Sequence, residues 1–407
     1  MTLQEGIYWQ SGQKPGRCYR LAYINFNDGI TTAEASSALA EVWQMLSRLR
    51  KGVIQDLLPT RADDPPASEM KVTSENLTCL LGISSRLFDK TVHTPPLVNA
   101  DLRPPTLVSV PIRGFRSLQW GTVSDINKTA SDFSIQFIAD TELAVNRAIV
   151  EIHKLILRGL PLQLECVFSG FQREDRRSWI DFHDGINNLR PALRKQVIEV
   201  TDPGDSPWMV GGTFMTFLKI AVDLQVWQKL SRSQQELVVG RHKLTGCPLI
   251  DDLPQVIDGQ VQPQFITGCP FSGTIPANPG ERYLDPAKAS NRLVVASHIH
   301  RANFNRGDDD QSANNRIYRQ GYEFLDSVSG SGISLGLNFV SFRKDVSTIR
   351  NILSIADWMG SVNFGGVTNP DPIIGEPPPI PLMSILAGGF FAIPPAEDPY
   401  PGFSLFQ

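Results

Sequence analysis

One stretch of the chain, Leu293–Tyr322, supplies two side chains that could do chemistry at a single centre. It reads LVVASHIHRANFNRGDDDQSANNRIYRQGY, with His298 near its start and Arg319 near its end. An imidazole can bind a metal, and a guanidinium keeps its positive charge at physiological pH. Upstream, the turn-like segment DFHDGIN offers the carboxylate of Asp184, which could take up and return a proton. Together the three groups could bind a metal cofactor, move a proton and stabilise a developing anion, provided that the fold brings them together.

The strand and helix patterns that could position these groups fall into two blocks. The first block has the order βαββαβ, which is typical of a ferredoxin-like unit. Its strand-like segments are Cys18–Phe26, Leu77–Ile83, Phe133–Ile138 and Leu162–Phe168. Its helical stripes are residues 39–49, which follow a capping box at Thr31–Glu34, and residues 145–156.

The second block begins at Gly212 and carries two insertions rich in Pro and Gly, residues 243–290 and 360–381. Its strand-like segments are Thr213–Val222, Ile333–Phe342 and Phe390–Ile393, and its helical segments are one between the Ser231–Gln234 capping box and Gly240 and one at Val346–Met359. We therefore predict an α+β fold with antiparallel sheets in two ferredoxin-like (βαββαβ) domains. The predicted domains are residues 1–170 and 210–407, joined by residues 171–209, which carry the Asp-Gly motif.

Composition excludes several classes of partner. The 407 residues are 41% hydrophobic and 20% charged with a formal net charge of −4, which gives no electrostatic footprint for nucleic acid or an anionic membrane. No window approaches the roughly 18 to 20 apolar residues of a membrane-spanning helix, and the start of the chain does not read as a secretory leader. We therefore expect a cytoplasmic protein, and self-association is left open. The five cysteines are far apart and form no CxxC pair, so neither a disulfide framework nor a zinc site is expected.

Six segments, in order along the chain, resemble the dye-decolourising (DyP-type) peroxidases. They are the Asp-Gly-Ile-Asn turn, Val210–Leu249, SHIHRAN, RIYRQGY, Gly336–Phe342 and Gly388–Pro395. The segments span roughly half of the chain, and the first block matches the family only in pattern. Each motif alone would be weak evidence, whereas several in order make the resemblance specific.

The resemblance implies two ferredoxin-like domains and one non-covalent b-type haem (iron protoporphyrin IX), held mainly by the second domain. It places the iron ligand on His298 and the catalytic groups of the opposite face on Asp184 and Arg319. The residues that it implies around the haem are His298, Asp184, Gly185, Ile186, Arg301, Arg319, Leu337 and Phe339. The implied reaction reduces hydrogen peroxide and oxidises small aromatic donors, in particular bulky phenolic or dye-like ones.

Four positions depart from the family pattern. Asp181 replaces the first glycine of GxxDG, and glycine permits backbone angles that aspartate does not favour, so a differently shaped turn is expected. His300 replaces an arginine, and Asn338 replaces an apolar residue. Glu376 is the nearest acid to the point where relatives place a carboxylate partner for the iron ligand.

Each candidate has a structural alternative. His298 could be a hydrogen-bonded structural histidine, and His300 would share its face in an extended segment and is a minor alternative ligand. The Asp184-Gly185 pair could be only a turn, and Arg316 competes with Arg319.

Other polar residues are interpreted as non-catalytic. His183 is a solvated loop residue or a neighbour of a haem propionate. Asp181 is a loop or helix-capping carboxylate, and the Asp308–Asp310 run is a solvated loop rather than a cation site. The three remaining histidines, His93, His153 and His242, are predicted to lie at the surface.

Two functional alternatives remain beside the peroxidase. One is a haem protein on the same scaffold with different redox chemistry, such as an oxygenase-like or substrate-specific oxidation, motivated by Asp181 and Asn338. The other is a haem-binding or haem-free relative without turnover. Tyr318, beside Arg319, is a candidate for passing electrons from donors.

Overall fold

The computed structural model describes most of the chain, with gaps. The described residues are 2–8, 15–61, 63–108, 131–175, 177–183, 188–189, 191–202, 204, 206–247, 255–257, 260–262, 297–302, 316–328, 332–353 and 382–407. Within these ranges no helix is both long and apolar enough to cross a membrane.

The described part contains twelve strands and seven α-helices. The strands are β1 Cys18–Phe26, β2 Val53–Leu57, β3 Ser68–Lys71, β4 Thr78–Ser84, β5 Phe133–Ala139, β6 Leu162–Phe171, β7 Thr213–Val222, β8 Gln255–Ile257, β9 Gln260–Gln262, β10 Tyr318–Val328, β11 Gly332–Arg343 and β12 Met383–Ile393. The helices are α1 Thr32–Arg50, α2 Glu142–Leu157, α3 Pro191–Ile198, α4 Leu224–Trp227, α5 Arg232–Val239, α6 His298–Ala302 and α7 Ser347–Leu353.

Eight of the strands form one closed antiparallel barrel in the order β1-β5-β4-β12-β7-β11-β10-β6. The first half of the chain contributes β1, β4, β5 and β6, and the second half contributes β7, β10, β11 and β12. The four strands of each half are adjacent in the barrel, in the orders β6-β1-β5-β4 and β12-β7-β11-β10, so both halves have the same topology. The two halves meet at short seams: β4 pairs with β12 through Ser84–Phe391 and Ile83–Ala392, and β6 pairs with β10 through Phe171–Glu323. The predicted α+β class with antiparallel sheets is therefore found, but the two ferredoxin-like domains are not confirmed as separate units, because their strands close into one barrel.

The strand faces divide the core into two compartments. Side chains inside the barrel form one apolar cluster that includes Tyr23, Phe217 and Phe391. The outer faces of the strands pack against the helices in a second cluster, which holds the buried stripe of α1 and much of α2. Since successive side chains of a strand point to opposite faces, residues of one strand contribute to both compartments in alternation.

The start of the chain closes one end of the barrel. The Gln4 side chain accepts from the Leu81 amide at 2.8 Å and donates to the carbonyls of Leu81 and Pro394 at 3.0 and 2.9 Å. Gln320 Nε2, on β10, donates to the carbonyls of Gly6 and Ile7 at 2.9 and 2.7 Å. Residues 2–8 are therefore tied to both halves of the barrel.

Most predicted helices and strands are confirmed, but one strand is longer than predicted and one strand of the barrel was not predicted. Both capping boxes are present, at Thr31 and Ser231, and α5 ends at Gly240 with φ +85°. Strand β12 is longer than the predicted Phe390–Ile393 segment. Strand β10 was not predicted, because its polar residues mask the alternation of inward-facing Tyr318 and Tyr322. The second half of the predicted Val346–Met359 helix lies outside the described residues.

Candidate functional site

Three predicted site residues lie on one face of the paired strands β10 and β11. Arg319, Leu337 and Phe339 alternate with side chains that point into the barrel, so all three point outward. Gly321 lies opposite Phe339 in the ladder and adds no side chain above it. Phe339 and Leu337 are half-buried. On this face Phe339 and Leu337 supply apolar surface, Arg319 lies opposite Ser341, and the buried Glu323 lies opposite Leu337.

Arg319 is held in place through its backbone. The Asn188 side chain donates to the Arg319 carbonyl at 2.7 Å and accepts from the Arg319 amide at 3.1 Å. Asn188 thus pairs with β10 in the way that a neighbouring strand would. This pairing therefore holds Asn188, which follows the Asp-Gly-Ile-Asn segment in the sequence, beside Arg319.

Arg177 clamps the beginning of the same turn. Its Nη1 donates to the carbonyls of Asp181 and Lys243 at 2.7 and 2.8 Å. Its Nη2 donates to the Leu244 carbonyl at 3.0 Å and lies 2.9 Å from His183 Nε2. The clamp joins two segments, the 177–183 turn and the 241–247 turn that follows α5.

His183 is the imidazole partner of this clamp and is not a solvated loop residue. A guanidinium can only donate, so Nε2 must accept and the ring must be neutral. The pKa of His183 is accordingly lowered, first because burial disfavours the charged ring and second because of the Arg177 cation. The sequence predicted a solvated loop residue or a neighbour of a haem propionate. The ring is half-buried and bonded to Arg177, which the sequence does not show, and the propionate role stays a prediction.

Asp181 keeps a glycine-like backbone. Its φ is +67°, in the left-handed region that glycine occupies freely and that aspartate tolerates better than most residues. Its side chain is exposed and pairs with Lys243 Nζ at 3.4 Å. Aspartate therefore adopts the left-handed backbone here, and Asp181 is the loop carboxylate that the sequence predicted. A differently shaped turn stays a prediction, because residues 184–187 lie outside the described residues.

His298 is the first residue of the short helix α6. The preceding Ser297 is buried and packs against Gly240, where an added Cβ would lie 2.6 Å from Ser297 Oγ and 2.7 Å from Ile299 Cγ1. The glycine that ends α5 therefore allows α6 to approach closely. His300 was expected to share a face with His298 if the segment were extended, but residues 298–302 form a helix, so that premise is not found.

Arg241 is a charged residue at the site that the sequence did not single out. It is 8% exposed, and its Nη1 donates to the Gly246 carbonyl at 2.7 Å. Burial, followed by the neighbouring positive charge of Arg319, lowers the pKa of Arg241 to about 10. Both guanidinium groups stay charged at neutral pH, so they raise the positive potential around Arg319. The GRHKLTG sequence could have drawn attention to Arg241, but its proximity to Arg319 is a tertiary feature.

Asn338 does not belong to the site. It lies between Leu337 and Phe339 on β11, so its side chain points into the barrel, where it is fully buried. Its Nδ2 donates to the Ser169 carbonyl at 2.8 Å. Asn338 therefore gives no reason to expect chemistry different from that of a peroxidase.

His93 also corrects the sequence analysis, which placed it at the surface. It is 6% exposed, and its Nε2 lies 3.0 Å from the buried Asp132 carboxylate. Asp132 also accepts from the Phe26 amide at 2.8 Å and from Arg86 Nε at 3.3 Å. His153 is exposed as predicted, whereas His242 is half-buried and bonded to Thr245.

Several predicted site residues lie outside what the structure describes. These are Asp184, Gly185 and Ile186, and also Glu376 and the Asp308–Asp310 run. Arg301 lies on α6, without a described side chain. Cys247 is disulfide-bonded, which the spacing of the cysteines did not predict.

Comparison with known proteins finds a family model and several relatives. Residues 175–357 match the model for "Dyp-type peroxidase, C-terminal". A protein named Deferrochelatase from Shigella flexneri is 24% identical over 352 residues, which are 83% of this chain and 70% of that protein. Deferrochelatase from Escherichia coli strain K12 is 23% identical over 341 residues, covering 80% of this chain and 67% of that protein.

Solved structures share the fold over nearly the whole chain. A DyP-type peroxidase from Cellulomonas bogoriensis is 22% identical with a TM-score of 0.67, covering 98% of this chain and 96% of that one. A DyP-type peroxidase from Streptomyces coelicolor is 20% identical with a TM-score of 0.68, covering 99% and 95%. Ferric DtpA from Streptomyces lividans is 20% identical with a TM-score of 0.66, covering 100% and 97%. The chain therefore has the fold of these proteins.

Proposed function

We propose that the chain is a haem-dependent peroxidase that reduces hydrogen peroxide and oxidises bulky phenolic or dye-like donors, because residues 175–357 match the model of the Dyp-type peroxidase family. One observation carries the proposal. The 241–247 turn, part of the Val210–Leu249 segment, lies beside two other segments that resemble the family: it brings Arg241 beside Arg319, and Gly240, which precedes it, meets α6. Arg177 also bonds it to the 177–183 turn, which precedes Asp184 in the sequence.

The residues fit a non-covalent b-type haem. The apolar surface of Leu337 and Phe339 suits an apolar ring, and the cations Arg319 and Arg241 lie where they could meet negative groups. His298, as neutral imidazole, would bind the iron through Nε2. The further contacts proposed for the haem are Asp184, Gly185, Ile186 and Arg301. When bound, haem supplies the redox chemistry that passes electrons from donors to peroxide.

Two side chains would serve the peroxide. Asp184, the residue after His183, would take the proton from one peroxide oxygen and deliver it to the leaving oxygen, a role that contributes typically about 10²- to 10⁴-fold. Arg319 would stabilise the negative charge that develops on the leaving oxygen. Arg241 adds positive potential beside Arg319.

The iron ligand is tested with His298→Ala. We expect this variant to lose haem or the spectrum of a histidine-ligated haem, measured as the Soret band per mole of purified protein. The matched control is His153→Ala, an exposed histidine away from the site. An unchanged Soret band in His298→Ala would remove the ligand assignment.

The distal cation is tested with Arg319→Leu against Arg316→Leu. Loss of one charge-stabilising donor typically costs about 10²- to 10³-fold, so we expect the peroxide reaction of Arg319→Leu to slow by at least about tenfold in stopped-flow spectra. Arg316, which lies just before β10 and whose carbonyl accepts from Arg343, should tolerate the change. The opposite ranking of the two variants would transfer the role to Arg316.

A second candidate is removal of iron from haem, the activity denoted by the name of the curated relatives that match most of the chain. Free protoporphyrin fluoresces and its ferric complex does not. Incubation of purified protein with haem would therefore produce porphyrin fluorescence if this candidate holds. Turnover of peroxide and a dye donor without that fluorescence supports the peroxidase, and a Soret band with neither activity indicates a non-catalytic relative.

A further inference from the structure

The interior of the barrel contains polar atoms that no side chain or backbone group of the described residues satisfies. Each belongs to a side chain that is at most 1% exposed, and none has a hydrogen-bond partner in the described residues. The six atoms are Tyr19 Oη, Tyr23 Oη, Tyr322 Oη, Ser134 Oγ, Gln136 Oε1 and Asn338 Oδ1. A buried polar group without a partner costs about 1–3 kcal/mol, and native proteins pair more than about 90% of such groups. Six in one barrel therefore need a partner from outside the chain.

Strand register places these atoms in one compartment. Tyr23 lies opposite Ser134 in the β1–β5 ladder, and Tyr322 lies opposite Asn338 in the β10–β11 ladder. The rings of Tyr19 and Tyr322 stack across the interior with centroids 4.4 Å apart, which joins the two groups.

The free space beside these atoms is small. Three inward-facing glycines, Gly82, Gly170 and Gly389, lie next to polar residues of the group. An added Cβ at Gly82 would lie 3.0 Å from Ser134 Oγ, and one at Gly389 would lie 2.6 Å from Tyr23 Oη. An eight-stranded barrel has an interior that side chains nearly fill. The occupant must therefore be of about the size of water.

The occupant must also be neutral and able both to donate and to accept. Burial raises the pKa of Tyr19, Tyr23 and Tyr322, so all three phenols keep their protons. Asn338 Nδ2 already donates to the Ser169 carbonyl, which leaves Oδ1 as an acceptor that needs a donor. An ion would find no formal charge among these groups, whereas water supplies two donors and two acceptors.

We propose that the closed barrel is an internal water site, in which ordered water molecules bridge the hydroxyls of Tyr19, Tyr23, Tyr322 and Ser134 to the amide oxygens of Gln136 and Asn338. Buried waters usually make two to four hydrogen bonds, which this set of groups supports. Residues 2–8, bonded to Gln320 at one end of the barrel, hold the waters in.

Tyr→Phe variants test the proposal because the sign of the effect depends on hydration. With water bound, Tyr19→Phe and Tyr322→Phe each remove a satisfied hydrogen bond, and we expect the Tm of the full chain to fall by about 1–3 °C. In a dry interior the same variants remove an unsatisfied hydroxyl, and the Tm rises or stays the same. An unchanged or raised Tm in both variants overturns the proposal.

Tyr400→Phe calibrates the measurement. The Tyr400 hydroxyl has a protein partner, Ser36 Oγ at 2.7 Å, so its removal should lower the Tm whether or not the barrel is hydrated. All variants are compared at equal haem content. A crystal structure provides the direct readout: we expect ordered water within 3.5 Å of most of the six atoms, and a barrel without water would overturn the proposal.

Discussion

At the scale of single residues, the candidate site depends on side chains that hold backbone rather than on the reactive groups alone. Arg177 uses both terminal nitrogens to hold the 177–183 turn against the 241–247 turn. Asn188 fixes the backbone of Arg319 from the other end of the Asp-Gly turn. These contacts fix the backbone that carries the candidate reactive side chains, so substitutions that change the backbone here should change stability.

Asp181 offers a test of local backbone strain. At φ +67°, the alanine variant should be less stable than the glycine variant by about 1–2 kcal/mol, because a left-handed backbone strains a residue with a Cβ and not glycine. Both substitutions lose the exposed Lys243 pair equally, and such pairs are worth little. Denaturant midpoints of Asp181→Gly and Asp181→Ala measure the difference, and equal midpoints would contradict the strain.

His183 predicts a pH dependence of stability. Its pKa is lowered from the ordinary value of 6.5, so the unfolded chain takes up a proton at a higher pH than the folded protein does. Its contribution to stability is therefore fully present above about pH 6.5 and is lost as the pH falls toward the lowered folded-state value. Free energies of unfolding between pH 5 and 8 should show a shallower acid-side slope in His183→Gln. Parallel curves would remove His183 as the cause.

At the scale of elements, the close approach of α5 and α6 through Gly240 shapes the His298 side of the site. Gly240 combines a φ of +85° with Ser297 and Ile299 in its way, whereas Gly159, after α2, has a φ of +103° and nothing within 4 Å. The two glycines therefore separate backbone strain from crowding.

Comparison of Gly240→Ala with Gly159→Ala isolates the crowding. Both substitutions should lower the free energy of unfolding, because alanine is strained in a left-handed conformation. Gly240→Ala should lower it by about 1–3 kcal/mol more, because α6 must move. Gly240→Ala should also bind less haem, seen as a lower Soret band per protein, whereas Gly159→Ala should not. Equal losses of stability and equal haem content would show that α5 and α6 do not constrain one another.

Elements with a clear local signal could be predicted, and those without one could not. Strand β1 and strand β7 follow from apolar runs, and α5 follows from its capping box and Gly240. Strand β10 was missed, because Gln320 lies on its inner face where an apolar residue would be expected. The orientation of Asn338 required the register, which no local pattern contains.

Contacts between residues far apart in the chain could not be predicted either, because no local sequence pattern contains them. His93 is buried because Asp132, 39 positions away, accepts its hydrogen bond. The charge of Arg241 matters because Arg319 lies beside it in the folded chain. The residue types of the candidate site could be read from the sequence, but the network that holds them could not.

At the scale of the whole molecule, the two halves share one interior. Tyr23 of the first half contacts Phe217 and Phe391 of the second, with ring centroids 6.1 and 5.3 Å apart. The seams between the halves contain few backbone pairs, so the shared side chains must provide much of the coupling.

Phe217→Ala tests this coupling. A buried phenylalanine typically contributes about 3–5 kcal/mol, and we expect its loss to reduce amide protection of β1 and β5 as well as of β7 and β11 in native-state hydrogen exchange. The exposed Leu157→Ala is the control and should leave protection unchanged in both halves. Weakened protection confined to the second half would show that the halves unfold independently.

The position of the 241–247 turn has a mechanical consequence. It is fastened on one side to the segment that leads into Asp184, and on the other it meets the helix that begins with His298, with no spare room at Gly240. A displacement of this turn would therefore be transmitted both to the segment that precedes Asp184 and to the start of α6. If Asp184 and His298 have the roles proposed above, a substitution in GRHKLTG would alter proton transfer and iron coordination together.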